Sequence, residues 1–342
     1  MTSSLIQACK GKKETRAPFW FMRQAGRYLA EYREVRKGAG GFLDLCYDSQ
    51  KAAQVTLQPI ERFGMDAAII FSDILVVPQA LGAQLRFAEG EGPLLEPVND
   101  SAKLAELKWK QGMLEPVYEA LRLTRAKLPE DKTLIGFAGA PWTLACYMVQ
   151  GKSDREFYGV RKIAQNDRRF FLKLIDTLAE SVYQHLVAQI DAGAQVVQIF
   201  DSWAGACSAT EFDAWVVAPT QKIVQAVKKA RPGVPIIGFP RLAGAKYREY
   251  ATRTGVDVMS IDYSVPLDWA ATQLQDVCVV QGNLDPLLLA EDKAAMLAQA
   301  GRIVDALGHK SFVFNLGHGI LPHTPVENVQ ALCEFLKKSS YS

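Results

Sequence analysis

The sequence predicts an α/β fold, a (β/α)8 or TIM barrel whose active site lies at the C-terminal ends of its strands. Short apolar runs alternate with longer helical patterns, and polar residues follow most of the runs. The eight runs are 19–22, 67–71, 134–138, 196–200, 235–239, 258–261, 277–280 and 312–314. Their nearly continuous hydrophobicity is typical of parallel strands that are buried on both faces.

The longest helices are predicted from the spacing of their apolar residues. Residues 166–192 carry apolar side chains at steps of three and four, and Gly193 ends this pattern. Residues 48–63 also indicate a helix, although Pro59 should kink it.

Two further helix ends are predicted from local motifs. The Arg-Pro-Gly triplet at 231–233 should end the helix that precedes the fifth strand. Thr324 and Glu327 predict a capping box at the start of the last helix, with Pro325 at the first helical position.

One segment interrupts the alternation of strands and helices. Residues 84–96 contain two short apolar stretches around a Gly-rich turn, which predicts a hairpin inserted after the second strand. The chain contains neither an internal repeat nor a Pro/Gly/Ser-rich linker. We therefore expect a single domain over residues 1–342, with residues 1–16 as an N-terminal extension.

Composition excludes several classes of protein. The chain has 342 residues, of which 49% are hydrophobic and 22% are charged, as in ordinary globular proteins. The net charge of +2 provides no overall field for a nucleic acid, so no nucleic-acid partner is expected. An anionic ligand would have to be bound by a local cluster of arginines.

Cysteine use and the absence of long apolar segments indicate an intracellular protein. The six cysteines are widely spaced, so we expect reduced thiols packed as small hydrophobic residues. Residues 1–18 lack the apolar segment of a secretory signal, and no run approaches the ~18 apolar residues of a membrane helix. We expect a soluble cytoplasmic protein without a membrane partner; a plastid location would require that a transit peptide has been removed.

Polar residues follow the predicted strands at the edge where barrel enzymes carry their active sites. They are Arg23, Asp73, Trp142, Ser202, Arg241, Asp262, Asn283 and His318. Position alone leaves them as candidates, because polar residues must reach the surface at strand ends in any case.

Five segments resemble one known family. They are 21–28 (FMRQAGRY), 69–75 (IIFSDIL), 136–143 (GFAGAPWT) followed by Tyr147, 200–205 (FDSWAG) and 315–320 (NLGHGI). From about Leu5 to Leu336 the chain resembles the uroporphyrinogen decarboxylases. The first two segments are long and specific, whereas the last alone is a weak signal. Ala30 stands where the family usually has proline, and residues 150–152 form a shortened version of a usually Gly-rich loop.

The resemblance implies an activity and a set of site residues. It implies removal of CO2 from the four acetate side chains of uroporphyrinogen III, giving coproporphyrinogen III for haem and chlorophyll synthesis. It implies no cofactor, and a homodimer with facing clefts. The resemblance implies catalytic roles for Asp73, Arg23, Tyr147 and His318. The implied substrate-binding residues are Arg23, Gln24, Arg27, Arg36, Asp73, Phe137, Tyr147, Phe200, Ser202 and His318.

The implied residues suit this chemistry. The substrate bears eight carboxylates, and the planar guanidinium group pairs carboxylates through two hydrogen bonds. Arg23 and Arg27 are assigned to such pairing, whereas Arg16 and Arg33 are assigned to a solvated face.

Asp73 is assigned to the four pyrrole N–H groups, because an ionised carboxylate only accepts hydrogen bonds. Its charge would stabilise the cationic, ring-protonated intermediate. The donor of the first proton stays open among Arg23, Tyr147, His318 and a water molecule bound to Asp73.

Two other functions are weighed. The first is a zinc-dependent corrinoid or thiol methyltransferase of the same superfamily, which needs thiolate ligands. No histidine has a cysteine two residues away, and Cys207 has no obvious partner. The second is a non-catalytic tetrapyrrole carrier. The presence of the complete set of implied arginine, aspartate and tyrosine residues argues against a carrier. His185 and His309 are expected to be structural, and His323 is unassigned.

Overall fold

A computed structural model describes residues 3–88, 92–154 and 156–339, and places a sheet of seven parallel strands at its centre. A separate two-stranded hairpin lies outside this sheet. The strands are β1 (Ala67–Ile69), β2 (Leu85–Ala88), β3 (Gly92–Leu95), β4 (Thr133–Gly139), β5 (Val196–Asp201), β6 (Ile236–Pro240), β7 (Val258–Ser260), β8 (Val279–Leu284) and β9 (Phe312–Leu316). The parallel sheet has the order β1-β4-β5-β6-β7-β8-β9.

Helices follow the strands and cover the sheet. They are α1 (Ser4–Cys9), α2 (Ala30–Lys37), α3 (Phe42–Tyr47), α4 (Ser49–Phe63), α5 (Val76–Ala80), α6 (Ser101–Glu106), α7 (Glu115–Lys127), α8 (Pro141–Gln150), α9 (Tyr158–Asn166), α10 (Arg168–Asp191), α11 (Ala209–Phe212), α12 (Ala218–Ala230), α13 (Tyr247–Thr254), α14 (Leu267–Trp269), α15 (Pro286–Glu291), α16 (Lys293–Leu307) and α17 (Val326–Lys338). Short 3₁₀ turns cover Gln111–Leu114, Ala204–Ala206 and Gly244–Lys246, and π-helical turns cover Asp213–Val217 and Ala270–Leu274.

Seven of the eight predicted runs form strands of the parallel sheet, but the first run does not. It makes one parallel bridge, between Phe19 and Phe314 of β9. The N–H of Phe314 donates to the carbonyl of Pro18 (2.9 Å), and the N–H of Trp20 donates to the carbonyl of Phe314 (3.4 Å). On its other side, the N–H of Asp66 donates to the carbonyl of Phe19 (2.9 Å). Pro18 has no N–H with which to extend the ladder, so the pairing is short.

The N-terminal residues pack into the core. Leu5 and Ile6 of α1 are buried among side chains of β1, β4, β6 and β9. The hydroxyl of Ser311, which precedes β9, donates to the carbonyl of Ala8 (2.8 Å), and the hydroxyls of Ser3 and Thr133 are hydrogen-bonded. Helix α1 therefore lies at the N-terminal ends of the strands, and the predicted extension contributes to the core.

The prediction that Arg16 belongs to a solvated face is wrong. Its guanidinium donates two hydrogen bonds to the carboxylate of Asp66, at 2.7 and 2.8 Å. The side chain of Asp66 is only 4% exposed, and it also accepts the N–H of Phe19 (2.9 Å) and lies 3.5 Å from the ammonium group of Lys132. A buried carboxylate needs such partners, which the sequence could not reveal because Arg16 and Asp66 lie far apart along the chain.

The periodic helices were predicted correctly. Helix α10 covers Arg168–Asp191, and Asp167 caps it by accepting the N–H of Phe170. Helix α4 continues through Pro59 to Phe63. Helix α12 ends at Ala230, directly before the Arg-Pro-Gly triplet. Apolar periodicity therefore located α10 and α4 to within about two residues, and the Arg-Pro-Gly triplet correctly marked the end of α12.

The predicted capping box of the last helix is wrong. Helix α17 begins at Val326, so Pro325 is its N-cap and has no side chain with which to accept a hydrogen bond. The hydroxyl of Thr324 is buried and finds no hydrogen-bond partner among the described residues. The helix starts one residue later than the motif requires.

The inserted hairpin was predicted correctly. Strands β2 and β3 pair antiparallel, with Leu85 opposite Leu95. The Gly-rich turn falls largely on residues 89–91, which lie outside the described residues. The N–H of Leu95 donates to the carbonyl of Gly151 (2.8 Å), which joins the hairpin to the end of α8.

All six cysteines are free thiols, as expected. His185 has the expected structural role, because it is buried and its Nδ1 lies 3.1 Å from the hydroxyl of Tyr118. Within residues 3–88, 92–154 and 156–339, no helix is both long enough and apolar enough to cross a bilayer.

The Arg16–Asp66 pair leads to a prediction about stability. Arg16→Gln should lower the free energy of unfolding by about 2 kcal/mol, since it leaves part of a buried carboxylate unpaired. Arg62→Gln is the control, because Arg62 pairs with Glu31 at the surface and such pairs contribute about 0.5 kcal/mol. Denaturant unfolding of both variants measures the difference; equal losses would show that Asp66 does not depend on Arg16.

Candidate active site

Arg23 leaves the first run in a strained turn. Its φ of 60° is unusual for a residue with a side chain, and such conformations persist where the surroundings enforce them. The N–H of Met22 donates to Oδ1 of Asn315 (3.1 Å), and the N–H of Ile320 donates to the carbonyl of Met22 (2.9 Å). These bonds tie the Arg23 turn to the loop that follows β9.

The glycines on either side of His318 allow that loop to pack closely. A methyl group on Gly319 would overlap Cγ and Cδ of Arg23, and one on Gly317 would overlap the backbone of Tyr263. Only glycine provides this space. The GHG sequence therefore brings His318 beside Arg23 on one side and beside the loop after β7 on the other.

Asp73 lies half-buried after β1. Its Oδ1 accepts the N–H of Leu75 (2.8 Å). Burial raises the pKa of Asp73, while the Leu75 N–H and the positive charge of Arg23 act in the opposite direction. Further hydrogen-bond donors or cations placed at this carboxylate would favour its ionised form.

Tyr147 lies on α8 and faces the same charges. Burial raises its pKa, as does the charge of Asp73, whereas Arg23 lowers it. Its ring packs at an angle against Trp203, with 6.1 Å between the centroids. Tyr147 is therefore a neutral phenol that lies near both Arg23 and Asp73.

His318 is held in its neutral form. Burial lowers its pKa to about 3, the charges of Arg23 and Arg241 contribute to this, and the charge of Asp262 opposes it. Together with Asp73 and Tyr147, His318 is the third predicted catalytic residue on which the charge of Arg23 acts. Of these contacts, the packing of Gly319 against the Arg23 side chain places His318 beside Arg23, and the charge of Arg23 acts on Asp73 and Tyr147 as well.

Two phenylalanines form an apolar wall above the strand core. Phe137 and Phe200 are the partly exposed residues in the otherwise buried strands β4 and β5. Their rings meet edge to face with 5.6 Å between centroids, and Phe200 contacts Phe239 in the same way at 6.1 Å. Both pack against the apolar cluster inside the sheet.

The remaining predicted residues differ in their surroundings. Arg27 is exposed, and its carbonyl accepts a hydrogen bond from Arg33 (2.8 Å), so Arg33 holds the turn that presents it. The guanidinium of Arg36 lies over the ring of Phe42, 5.6 Å from its centroid. Ser202 is half-buried directly after β5.

Gln24 has structural contacts. Its side chain is buried, accepts the N–H of Phe21 (3.4 Å) and donates to the carbonyl of Ala67 in β1 (3.1 Å). These contacts fix the Arg23 turn against β1. A contact between Gln24 and a substrate stays a prediction.

Asp201 was not recognised from the sequence, although it precedes Ser202. It is completely buried at the end of β5, and burial raises its pKa to about 7 despite opposing hydrogen bonds from Thr143. The hydroxyl of Thr143 donates to Oδ1 of Asp201 (2.5 Å) and accepts the N–H of Trp203 (3.1 Å). Asp201 thus joins the start of α8, which carries Tyr147, to the loop that carries Ser202.

The described ranges contain no group of three or more histidine, cysteine, aspartate and glutamate residues arranged to hold a metal ion. Cys207 is buried, and burial raises the pKa of its thiol. This environment disfavours the thiolate that a zinc site would need.

The fold and these residues define a class of protein: a parallel α/β protein that carries arginines, carboxylates and aromatic residues in the loops at the C-terminal ends of its strands. Among solved structures, a methyltransferase from Methanosarcina mazei is similar in fold, with a TM-score of 0.78 and 19% identity over 98% of this chain and 97% of its own. A B12-independent methionine synthase from Shewanella sp. W3-18-1 has a TM-score of 0.59 and 10% identity, over 85% of this chain and 88% of its own. These likenesses concern the fold alone.

The sequence identifies the family. The model of the family "Uroporphyrinogen decarboxylase (URO-D)" matches residues 2–339. A uroporphyrinogen decarboxylase from Rhodospirillum rubrum is 49% identical over 97% of this chain and 96% of its own. One from Mesorhizobium japonicum is 50% identical over 98% of each chain. The chain belongs to the uroporphyrinogen decarboxylase family.

The buried Asp201 leads to a prediction about pH. Its folded-state pKa of about 7 lies above the unfolded value of about 3.9, so between these values the folded state holds a proton that the unfolded state has lost. This contribution makes the free energy of unfolding fall as pH rises, by up to about 1.4 kcal/mol per unit, and levels off above about pH 7.

Asp201→Asn should remove this slope. The difference in unfolding free energy between the Asn variant and the original chain should therefore increase in favour of Asn from pH 5 to pH 7. Denaturant unfolding at several pH values measures it, with Asp305→Asn on the exposed face of α16 as the control. Parallel stability curves for Asp201→Asn and the original chain would contradict the raised pKa.

Proposed function

We propose that the chain decarboxylates the four acetate arms of uroporphyrinogen III to methyl groups, giving coproporphyrinogen III and CO2. The observation that carries this proposal is the packing of Arg23 against Gly319, beside His318, together with the action of its charge on His318, Asp73 and Tyr147. The names of the relatives, over almost the whole chain, support the same reaction.

We also infer that the sheet closes as a single-domain (β/α)8 barrel. The segment 18–20 supports this, because it hydrogen-bonds to β9 on one side and to Asp66, just before β1, on the other. Closure would bring the residues that follow all the strands around one cleft.

The carboxylates of the substrate would be bound by arginines. Arg23, Arg27 and Arg36 belong to one segment and its helix, so they can meet carboxylates on one side of a macrocycle. Bidentate pairing would fix the orientation of the substrate as well as its position. Phe137 and Phe200 offer apolar faces for the pyrrole rings.

Asp73 would accept the pyrrole N–H groups. Burial disfavours the ionised form of Asp73 and so raises its pKa. N–H donors of the substrate would favour the ionised form and lower the pKa again. Once the ring is protonated, the ionised carboxylate would stabilise the resulting cation.

The reaction then needs no electron sink outside the substrate. Protonation of a pyrrole ring makes it an electrophile, and the electrons of the C–C bond that breaks flow into it as CO2 leaves. A second protonation, on the exocyclic carbon, gives the methyl group, and the ring loses its added proton. The net change for each arm is uptake of one proton and release of one CO2.

The charges around His318 make it a poor donor of the first proton. A His318 imidazolium is scarce at neutral pH, since burial and the neighbouring arginines hold the pKa of His318 near 3. Its neutral ring can still donate a hydrogen bond to a carboxylate. Tyr147, Arg23 and a water molecule bound to Asp73 stay open as donors.

We further propose that the chain forms a homodimer, as the family resemblance implies. Leu242 and Tyr263, in the loops after β6 and β7, are large residues exposed to 44% and 42%. Their exposure at the cleft end of the sheet supports contact with a second copy there.

The central experiment is incubation with uroporphyrinogen III under anaerobic reducing conditions, followed by chromatography of the oxidised products. Asp73→Asn should lower kcat by about 10²–10³-fold, because it keeps the shape of the side chain but removes the charge. The exposed Asp305→Asn variant is the control and should keep full activity. Unchanged turnover in Asp73→Asn would rule out the central carboxylate.

The absence of an external electron sink leads to a separate prediction. Decarboxylation should continue at its full rate after exhaustive dialysis against a chelator, since the protonated ring itself accepts the electrons. Activity and metal content are measured before and after dialysis. If chelation abolished activity and zinc restored it, the methyltransferase-like alternative would be favoured.

A further inference from the structure

Arg241 lies in the turn that follows β6, and the roles proposed above do not include it. Its N–H donates to the carbonyls of Asp201 (3.0 Å) and Phe239 (3.1 Å), and its own carbonyl accepts the N–H of Gly205 (3.1 Å). The N–H of the next residue, Leu242, donates to the carboxylate of Asp262 (2.7 Å). The loops after β5 and β7 therefore fix the backbone of this turn from both sides.

The side chain of Arg241 lacks the partners that a buried guanidinium normally has. It is half-buried, and its Nε is buried without a hydrogen-bond acceptor among the described residues. Within the same residues, no ion pair joins Arg241 to a carboxylate. A buried donor without an acceptor is unfavourable, so a ligand that accepts from Arg241 would be stabilised at this position.

The nearby carboxylate of Asp262 is occupied by other donors. One oxygen accepts the Leu242 N–H and the hydroxyl of Tyr247 (2.7 Å), and the other accepts the N–H (2.9 Å) and hydroxyl (2.5 Å) of Ser264. These four bonds occupy the hydrogen-bonding positions of the Asp262 carboxylate, and among the described residues no hydrogen bond joins it to the Arg241 guanidinium.

Arg241 also influences a predicted site residue. Its charge acts on His318, as does the charge of Arg23, and both contribute to the low pKa of that imidazole after burial. Arg23 and Arg241 come from distant parts of the sheet, because β6 is four strands from the segment that carries Arg23. The two positive charges that act on His318 thus belong to separate loops.

We infer that Arg241 is a further carboxylate-binding residue of the cleft, which receives a carboxylate arm of the substrate beside His318 on the side away from Arg27 and Arg36. This inference rests on the function proposed above. A ring with carboxylates around its whole edge needs cations on more than one side, and the arginines of residues 23–36 come from one segment only.

Arg241→Gln tests the inference. The loss of one hydrogen bond to a charged group should raise KM for uroporphyrinogen at least about tenfold while kcat changes much less. The pKa of His318, followed by NMR, should rise, because one of the two neighbouring charges is gone. Arg302→Gln, on the exposed side of α16, is the control and should leave KM, kcat and the His318 pKa unchanged.

Arg241→Lys separates charge from geometry. It should leave the pKa of His318 low, since the charge remains, yet raise KM, since the planar fork is lost. This variant also provides the test if Arg241→Gln does not fold.

The outcomes separate this inference from the proposed function. If the original chain releases no CO2, the proposed function fails. If the original chain is active and both Arg241 variants keep KM within about twofold, only the inference is overturned. A fall in kcat at unchanged KM, together with lower stability, would also overturn it, because it would indicate a purely structural residue.

Discussion

The position of the Arg23 turn depends on the way Asp66 holds the segment before it. The backbone N–H of Asp66 donates to the carbonyl of Phe19, and its carboxylate accepts the N–H of Phe19 in return. Arg16 neutralises the buried carboxylate, which makes this contact compatible with burial. A segment with a single bridge to β9 is thereby fixed beside β1, and the Arg23 turn begins from a defined position.

The turn itself is held by the other end of the chain. Asn315 and Ile320, on either side of the GHG sequence, both hydrogen-bond to the backbone of Met22. The positive φ of Arg23 is tolerated because these contacts and those of Gln24 determine the path of the backbone. The first and last parts of the sequence therefore build the same wall of the cleft.

Much of this arrangement could be predicted from the sequence. Continuous apolar runs located seven strands, and motif resemblance selected Arg23, Asp73, Tyr147 and His318, of which the last three are residues on which the charge of Arg23 acts. These signals are local, since each lies within a few neighbouring residues.

The features that could not be predicted depend on residues that lie far apart in the sequence. Arg16 looked like one more surface cation, and only the fold shows that Asp66 is buried against it. Asp201 gave no signal of its own, because its raised pKa comes from burial at the end of β5. The first run was as apolar as the others, but whether it pairs fully depends on the register of β9 and β1.

Asp73 and Asp262 both follow strands of the sheet, but they differ in the number of hydrogen bonds that they already accept. Burial acts to raise the pKa of Asp262, but hydrogen bonds from Ser264, Tyr247 and Leu242 lower it overall, so this carboxylate is ionised and saturated. Within the described ranges, the donor recorded at Asp73 is the single N–H of Leu75, and its pKa is raised. Asp262 has little capacity to accept further hydrogen bonds. Additional donors at Asp73 would stabilise its ionised form and so lower its pKa. Asp73 therefore has more capacity than Asp262 to accept further hydrogen bonds, which is the property that the proposed contact with pyrrole N–H groups requires.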